Sequence, residues 1–233
     1  MGETSSKFVQ ACIAHVAFPK YYNLEDLKGM MQKNKDYNIV FKTDMDFLLN
    51  FEAIKNKIDN PNWFHYWSAP KWLTKGDILF FFHTVTSLER ANGMLKNNYI
   101  EDLELKKTIE HAIELGSRYS GTIFGYAEVI DTSKRLSDEQ EKQHFKGKVF
   151  APFNNIHLFE EPLEHEMFKK FVKIVRGGAY TPISNKNEFI KIKSLLRDNN
   201  KLPPFLKMAN LSDRGFENVN KNNWFDISCS DKV

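Results

Sequence analysis

Apolar and polar positions alternate along residues 7–18, KFVQACIAHVAF, which predicts a first strand that stops at Pro19. NLEDLKGMMQKN (23–34) then reads as a short helix, with Asn23 as its N-cap and acids in its first turn. YNIVF (37–41) is strand-like, and DMDFLLNFEAIKNKI (44–58) sets Phe47, Leu48, Phe51, Ile54 and Ile58 on one helical stripe. WFHYWSAPKW, Trp63 to Trp72, has no period and lies between prolines, so it reads as an aromatic loop. The continuous apolar run in GDILFFFHTV (76–85) predicts a buried strand. TSLERANGMLKNN (86–98) and IEDLELKKTIEHAIELGSRY (100–119) predict two helices, and GTIFGYAEVID (121–131) the next strand. After a polar loop over 132–147, KVFAPF (148–153) and NIHLFEEP (155–162) read as short strands on either side of an Asn pair. LEHEMFKKFVKIV (163–175) and NKNEFIKIKSLLRDNN (185–200) read as helices.

Strands interleaved with helices, joined by loops of hairpin length and longer, predict a mixed α/β or α+β domain around a strongly curved sheet. No G-x-G-x-x-G follows the first strand and no G-x-x-x-x-G-K-[ST] occurs, which argues against a doubly wound nucleotide fold. At 233 residues the chain suits a single domain, 1–233.

Composition changes this picture in one respect. With 20 Phe, 8 Tyr and 4 Trp, aromatics reach 14%, a surplus that offers stacking surfaces as well as core. A net charge of +3 is too mild to argue for nucleic acid by itself. The basic residues gather in the C-terminal half, including Lys146, Lys148, Lys169, Lys170, Lys173, Arg176, Lys186, Lys191 and Lys193. The ordinary use of such lysines is to solvate helix faces. Cys12 and Cys229 are too few for a disulfide framework or a zinc site, which suits a reducing, cytoplasmic setting. No signal-peptide pattern or membrane-length apolar run is present in the sequence.

The candidate chemistry is sparse. His65, His83, His144 and His157 form no H-x-H, H-E-x-x-H or deaminase-type pattern, so neither a metal nor a cofactor is predicted. Asp102 followed by Glu104-Leu105-Lys106 is similar to a nuclease Asp…Glu-x-Lys arrangement, but on a helix those residues more simply make a solvated face. No Gly-x-Ser-x-Gly elbow or activated cysteine supports nucleophilic catalysis. What remains is SGTIFGYAEVI, Ser120 to Ile130, where two glycines interrupt a strand; a glycine there marks a bend or the close approach of another backbone or a ligand.

Residues 120–129 spell Ser-Gly-x-x-x-Gly-x-Ala-Glu-Val, which resembles the central hairpin of the YTH and EVE domains of the PUA-like superfamily. Neighbouring segments fall in the family's order. GDILFFFHT is similar to the strand before it, HFKGKVFAPFNNIHLFEEP to the Trp-Lys-Gly-rich loop and following strand, and GGAYTPISNKNEF to the closing segment. The resemblance runs over about 63–200, leaving an N-terminal elaboration of 1–62 and a helical insertion of 88–118. It implies an α+β fold: a PUA-like curved β-barrel surrounded by helices, with the insertion between two central strands.

It also implies a non-catalytic reader that takes a flipped-out, modified base, methylated adenine or modified cytosine, into an aromatic cage. Trp67 stands where such domains place the first cage tryptophan, Ser68 where they contact the base edge, and Phe145 in the place of a second tryptophan. That last position is a departure, since 133–143 holds no tryptophan. Trp63 and Trp72 are candidates for the remaining wall, Ser120 for a further contact to the base, and Lys146, Lys148, Lys169, Lys173, Arg176 and Lys186 for phosphate contacts. Such modules occur in modification-dependent restriction systems, so the implied partners are a nucleic acid and a nuclease or ATPase. The alternative is a metal-dependent enzyme of RNA or nucleotide metabolism using acids such as Glu104 or Glu110.

Overall fold

The computed structural model describes residues 7–16, 66–96, 103–135, 149–175 and 178–212. The elements expected over 23–34, 37–41 and 44–58 lie outside the described residues. In chain order the elements are β1 (Lys7–Val9), β2 (Ala11–Val16), β3 (Tyr66–Ser68), β4 (Ile78–His83), α1 (Val85–Lys96), α2 (Leu103–Tyr119) and β5 (Thr122–Val129). There follow β6 (Lys134–Arg135), β7 (Val149–Glu164), α3 (His165–Phe168), β8 (Tyr180–Pro182), α4 (Lys186–Asn199), α5 (Pro204–Met208) and β9 (Ala209–Leu211). No helix among the described residues is long and apolar enough to cross a membrane.

One mixed sheet runs β3-β7-β5-β4-β2-β8, with β6 also on β7, while β1 and β9 make a separate parallel pair. Among the described strands of the large sheet β2 and β4 pair in parallel and the other ladders are antiparallel. The sheet curls until it nearly closes. Register shifts interrupt the β5–β7 ladder twice and the β4–β5 ladder once, and such irregularities bend and twist a strand. Gly125 lies within the shifted region, and a Cβ built there would sit 2.8 Å from the His157 carbonyl oxygen. The approaching group that this glycine admits is therefore the neighbouring backbone. Gly121 adopts a left-handed φ of 73°, and its N–H donates to the His83 carbonyl at 2.8 Å, starting β5 beside the end of β4.

Several elements differ from the sequence expectation, first among them the strand expected over 7–18, which divides into β1, paired with β9, and β2 in the large sheet. The aromatic segment expected as a loop contains a short strand, β3, because its backbone pairs with Phe150–Pro152 of β7. The two strands expected around Asn154 and Asn155 are one 16-residue strand, since Asn155 takes a φ of 50° as an irregularity and the chain does not reverse. The helix expected over 163–175 stops at Phe168, after one turn. Val172 N–H still bonds the Phe168 carbonyl, but Val175 N–H donates to Thr181 Oγ1, so the chain has already left the helical path.

Both faces of the sheet are covered, which is why β4 reads as an unbroken apolar run. The inner face packs Cys12, Ala14, Leu79, Phe81, Phe124, Ala127, Ala151 and Phe153 into one cluster. Alanines set beside phenylalanines in this way suit the taper of a narrow barrel. Leu88, Leu95 and Ile113 of α1 and α2 pack on this same cluster. On the outer face Ile13, Phe80 and Tyr126 are buried with Phe168 and with Phe189, Ile192 and Leu196 of α4. Asp77, buried before β4, accepts the N–H groups of Gln10 and Thr74 at 2.7 Å each and so fixes the entry to both parallel strands.

Candidate functional site

Among the described strands β3 and β8 stand at the two ends of the sheet order, and the side chains that meet between them mark a seam. Trp67, half-buried on β3, packs against the inner cluster, and its indole N–H donates to the His15 carbonyl at 3.3 Å. His15 lies on β2, four places along from β3 in the sheet order. That contact spans the seam. On the other side His15 N–H donates to the Ala179 carbonyl at 2.9 Å, and Ala14 is the register partner of Tyr180. Tyr180 is half-buried on the same inner cluster, as is Trp72. Burial, with a smaller contribution from Cys12, pushes the Tyr180 phenol pKa up, so the ring is neutral at physiological pH.

The rest of this rim follows from the register. Val16 pairs with His83, and His83 bridges to Ser120, so half-buried Ser120 lies at the same end of the sheet as the Trp67 indole. Ser68 is half-buried beside Trp67, with Phe150 as its partner on β7. The structure thus sets Trp67 and Trp72 on the inner cluster, Trp72 by the entry to β4, and Ser120 at the rim beside His83, whereas Ser68, the next strand residue after Trp67, turns its side chain to the opposite face with Phe150. Trp63, Phe145, Lys146, Lys148 and Arg176 lie outside the described residues.

The remaining predicted phosphate contacts do not share this location. Exposed Lys169 forms an ion pair with Glu166, one helical turn away. Lys186, at the start of α4, lines a groove of about 220 Å³ with Phe8, Ile190, Asn210 and Leu211, on the outer side of the sheet. Lys173 is exposed, two residues before Val175, whose N–H is tied to Thr181.

His15 has all four polar groups engaged. Besides the two backbone bonds, Nδ1 lies 2.7 Å from the Gly178 carbonyl and Nε2 2.9 Å from Thr181 Oγ1. A carbonyl only accepts, so Nδ1 carries the proton and Nε2 accepts from the threonine hydroxyl. Burial lowers the His15 pKa, opposed by the Gly178 bond, which agrees with a neutral ring. His83, fully buried beneath the rim, is pushed down to about 4 by burial.

Sequence reasoning missed Tyr180, Thr181 and His15. The segment GGAYTP signalled only a closing turn, and nothing local to His15 marks a partner 166 residues away. Among the described residues no group of three or more His, Cys, Asp or Glu side chains is placed to hold a metal ion. Glu110 is exposed on α2, and the Glu104 side chain lies outside the described residues. No protein-family model matches the chain, and no curated protein or solved structure matches it either.

Proposed function

We propose that the chain is a PUA-like reader of a modified nucleobase in nucleic acid, the recognition part of a modification-dependent restriction system, with Trp67 as the stacking platform. One observation carries the reading. The tryptophan at the position where YTH and EVE domains begin their cage is held half-buried at the barrel seam, its indole nitrogen tied to the protein's own backbone and its ring against the inner cluster. An anchored ring loses little freedom when a base stacks on it.

The magnitudes set what the site must supply. Extruding a base costs a few kcal/mol, and one stacking contact returns about 1–3 kcal/mol. One aromatic therefore roughly balances the extrusion. A buried methyl adds about 0.8 kcal/mol, only about fourfold in affinity, so stronger preference requires polar contacts to the base edge, for which the Ser120 side chain and the backbone of Ser68 are the candidates. Phosphate contacts from the basic C-terminal half would make affinity fall with salt.

The test is a titration of the full chain with single- and double-stranded oligonucleotides carrying N6-methyladenine, 5-methylcytosine or neither, at two salt concentrations. A modified strand is expected to bind at least severalfold more tightly. Trp67→Ala is expected to weaken it about tenfold or more, within the range of one lost stack, whereas Trp67→Phe retains most of the binding. Equal binding of all strands by the parent, or binding unaffected by Trp67→Ala, defeats the proposal. Chelator-sensitive cleavage of the strand would instead favour the metal-dependent enzyme.

A further inference from the structure

The seam has a second aromatic that no motif announced. Tyr180 belongs to a three-residue end strand whose ladder to β2 is short, and Pro182 within it has no N–H to donate. Three residues of edge strand hold a register poorly unless something else fixes it. Backbone bonds from His15 N–H to the Ala179 carbonyl and from Ile183 N–H to the Ala11 carbonyl extend the ladder by one residue on each side, and side chains reinforce it. Val175 N–H donates to Thr181 Oγ1 at 2.9 Å, the Thr181 hydroxyl donates to His15 Nε2, and His15 Nδ1–H donates to the Gly178 carbonyl. This closed run of bonds ties the chain on both sides of Tyr180 to the residue whose carbonyl receives the Trp67 indole.

We infer that Tyr180 forms the wall of the base slot across the seam from Trp67, and that Thr181 and His15 latch it in register. This rests on the base-reader proposal for its ligand, but the latch stands independently of it. The occupant is the same modified base, held between an indole and a phenol ring that both pack on the inner cluster. Tyr180 is the binding residue; Thr181 and His15 are positioning residues that do not touch the base.

The experiment uses the full chain and the oligonucleotide that the parent binds best. Tyr180→Phe is expected to bind within about twofold of the parent, because the ring is retained. Tyr180→Leu, which keeps apolar packing, is expected to melt like the parent and bind about tenfold more weakly or worse. Binding by Tyr180→Leu equal to the parent's overturns the wall. Thr181→Val, nearly isosteric, is expected to speed hydrogen exchange at the Val175 amide, shift the His15 ring-nitrogen resonances and weaken binding, while Thr181→Ser restores all three. Unchanged Val175 exchange and His15 resonances in Thr181→Val overturn the latch. A parent that binds none of the strands removes the base-reader proposal and Tyr180's role with it, and the exchange result still decides the latch.

Discussion

Gly125 and Gly93 give opposite predictions for one substitution. A methyl at Gly125 would lie 2.8 Å from the His157 carbonyl oxygen and 3.2 Å from a Leu158 methyl, and the carbonyl belongs to a sheet partner that cannot swing away. Gly125→Ala is therefore expected to cost about 1–3 kcal/mol, read as a lower urea midpoint. At Gly93, inside α1, an added methyl meets nothing within 4 Å, so Gly93→Ala is expected to stabilise by up to about 1 kcal/mol through helix propensity. Equal shifts for both would contradict the close approach at β7. His83 ties stability to pH. Its pKa is pushed down to about 4 by burial, below the unfolded value of about 6.5, so the unfolded chain binds the extra proton first. Its contribution is complete above pH 6.5 and is lost as pH falls toward 4, by about 3 kcal/mol in all. In urea melts across that window the His83→Gln variant should lose less stability on acidification than the parent; parallel curves would show that His83 is not held neutral.

The elements differ in how much of their cause is local, and that decides which of them the sequence revealed. α4 was legible because everything that makes it is within its own span. Asn185 caps the Glu188 N–H at 2.9 Å, Glu188 returns a bond to the Ser184 N–H at 2.7 Å, and Phe189, Ile192 and Leu196 supply the buried stripe. Asn185→Ala is expected to remove about 1 kcal/mol, measured by urea unfolding. β4, α1 and α2 were legible for the same reason. The helix expected through Val175 was not, because Thr181, six residues on, captures the Val175 N–H and redirects the chain. β3 was illegible because three residues in an aromatic run carry no period, and only β7 makes them a strand. The candidate site divides in the same way: Trp67 was reached through a motif position, whereas Tyr180 is defined by a seam between strands far apart in sequence.

At the level of the whole molecule, the helical pair α1 and α2 is topologically separate from the sheet and energetically joined to it. Its two ends already touch, since His83 bridges to Ser120 and the Gly121 N–H bonds the His83 carbonyl at 2.8 Å. A short Gly-Ser loop replacing residues 86–117 would therefore leave β4 and β5 able to pair. The inner cluster, however, would lose the cover that Leu88, Leu95 and Ile113 provide. At about 1.5–3 kcal/mol for each fully buried aliphatic chain, and somewhat less for these partly exposed ones, the loss is on the order of 5 kcal/mol. Domains of this size have only about 5–15 kcal/mol in total, so the excised chain should stand near the limit of folding. It is expected to keep strand-type far-UV dichroism while losing near-UV signal and binding a hydrophobic dye, because the uncovered surface is the floor on which Trp67 and Tyr180 rest. A shortened chain that melts with the parent's midpoint and near-UV spectrum would show instead that the barrel closes without this helical pair, and that α1 and α2 are accessory to it.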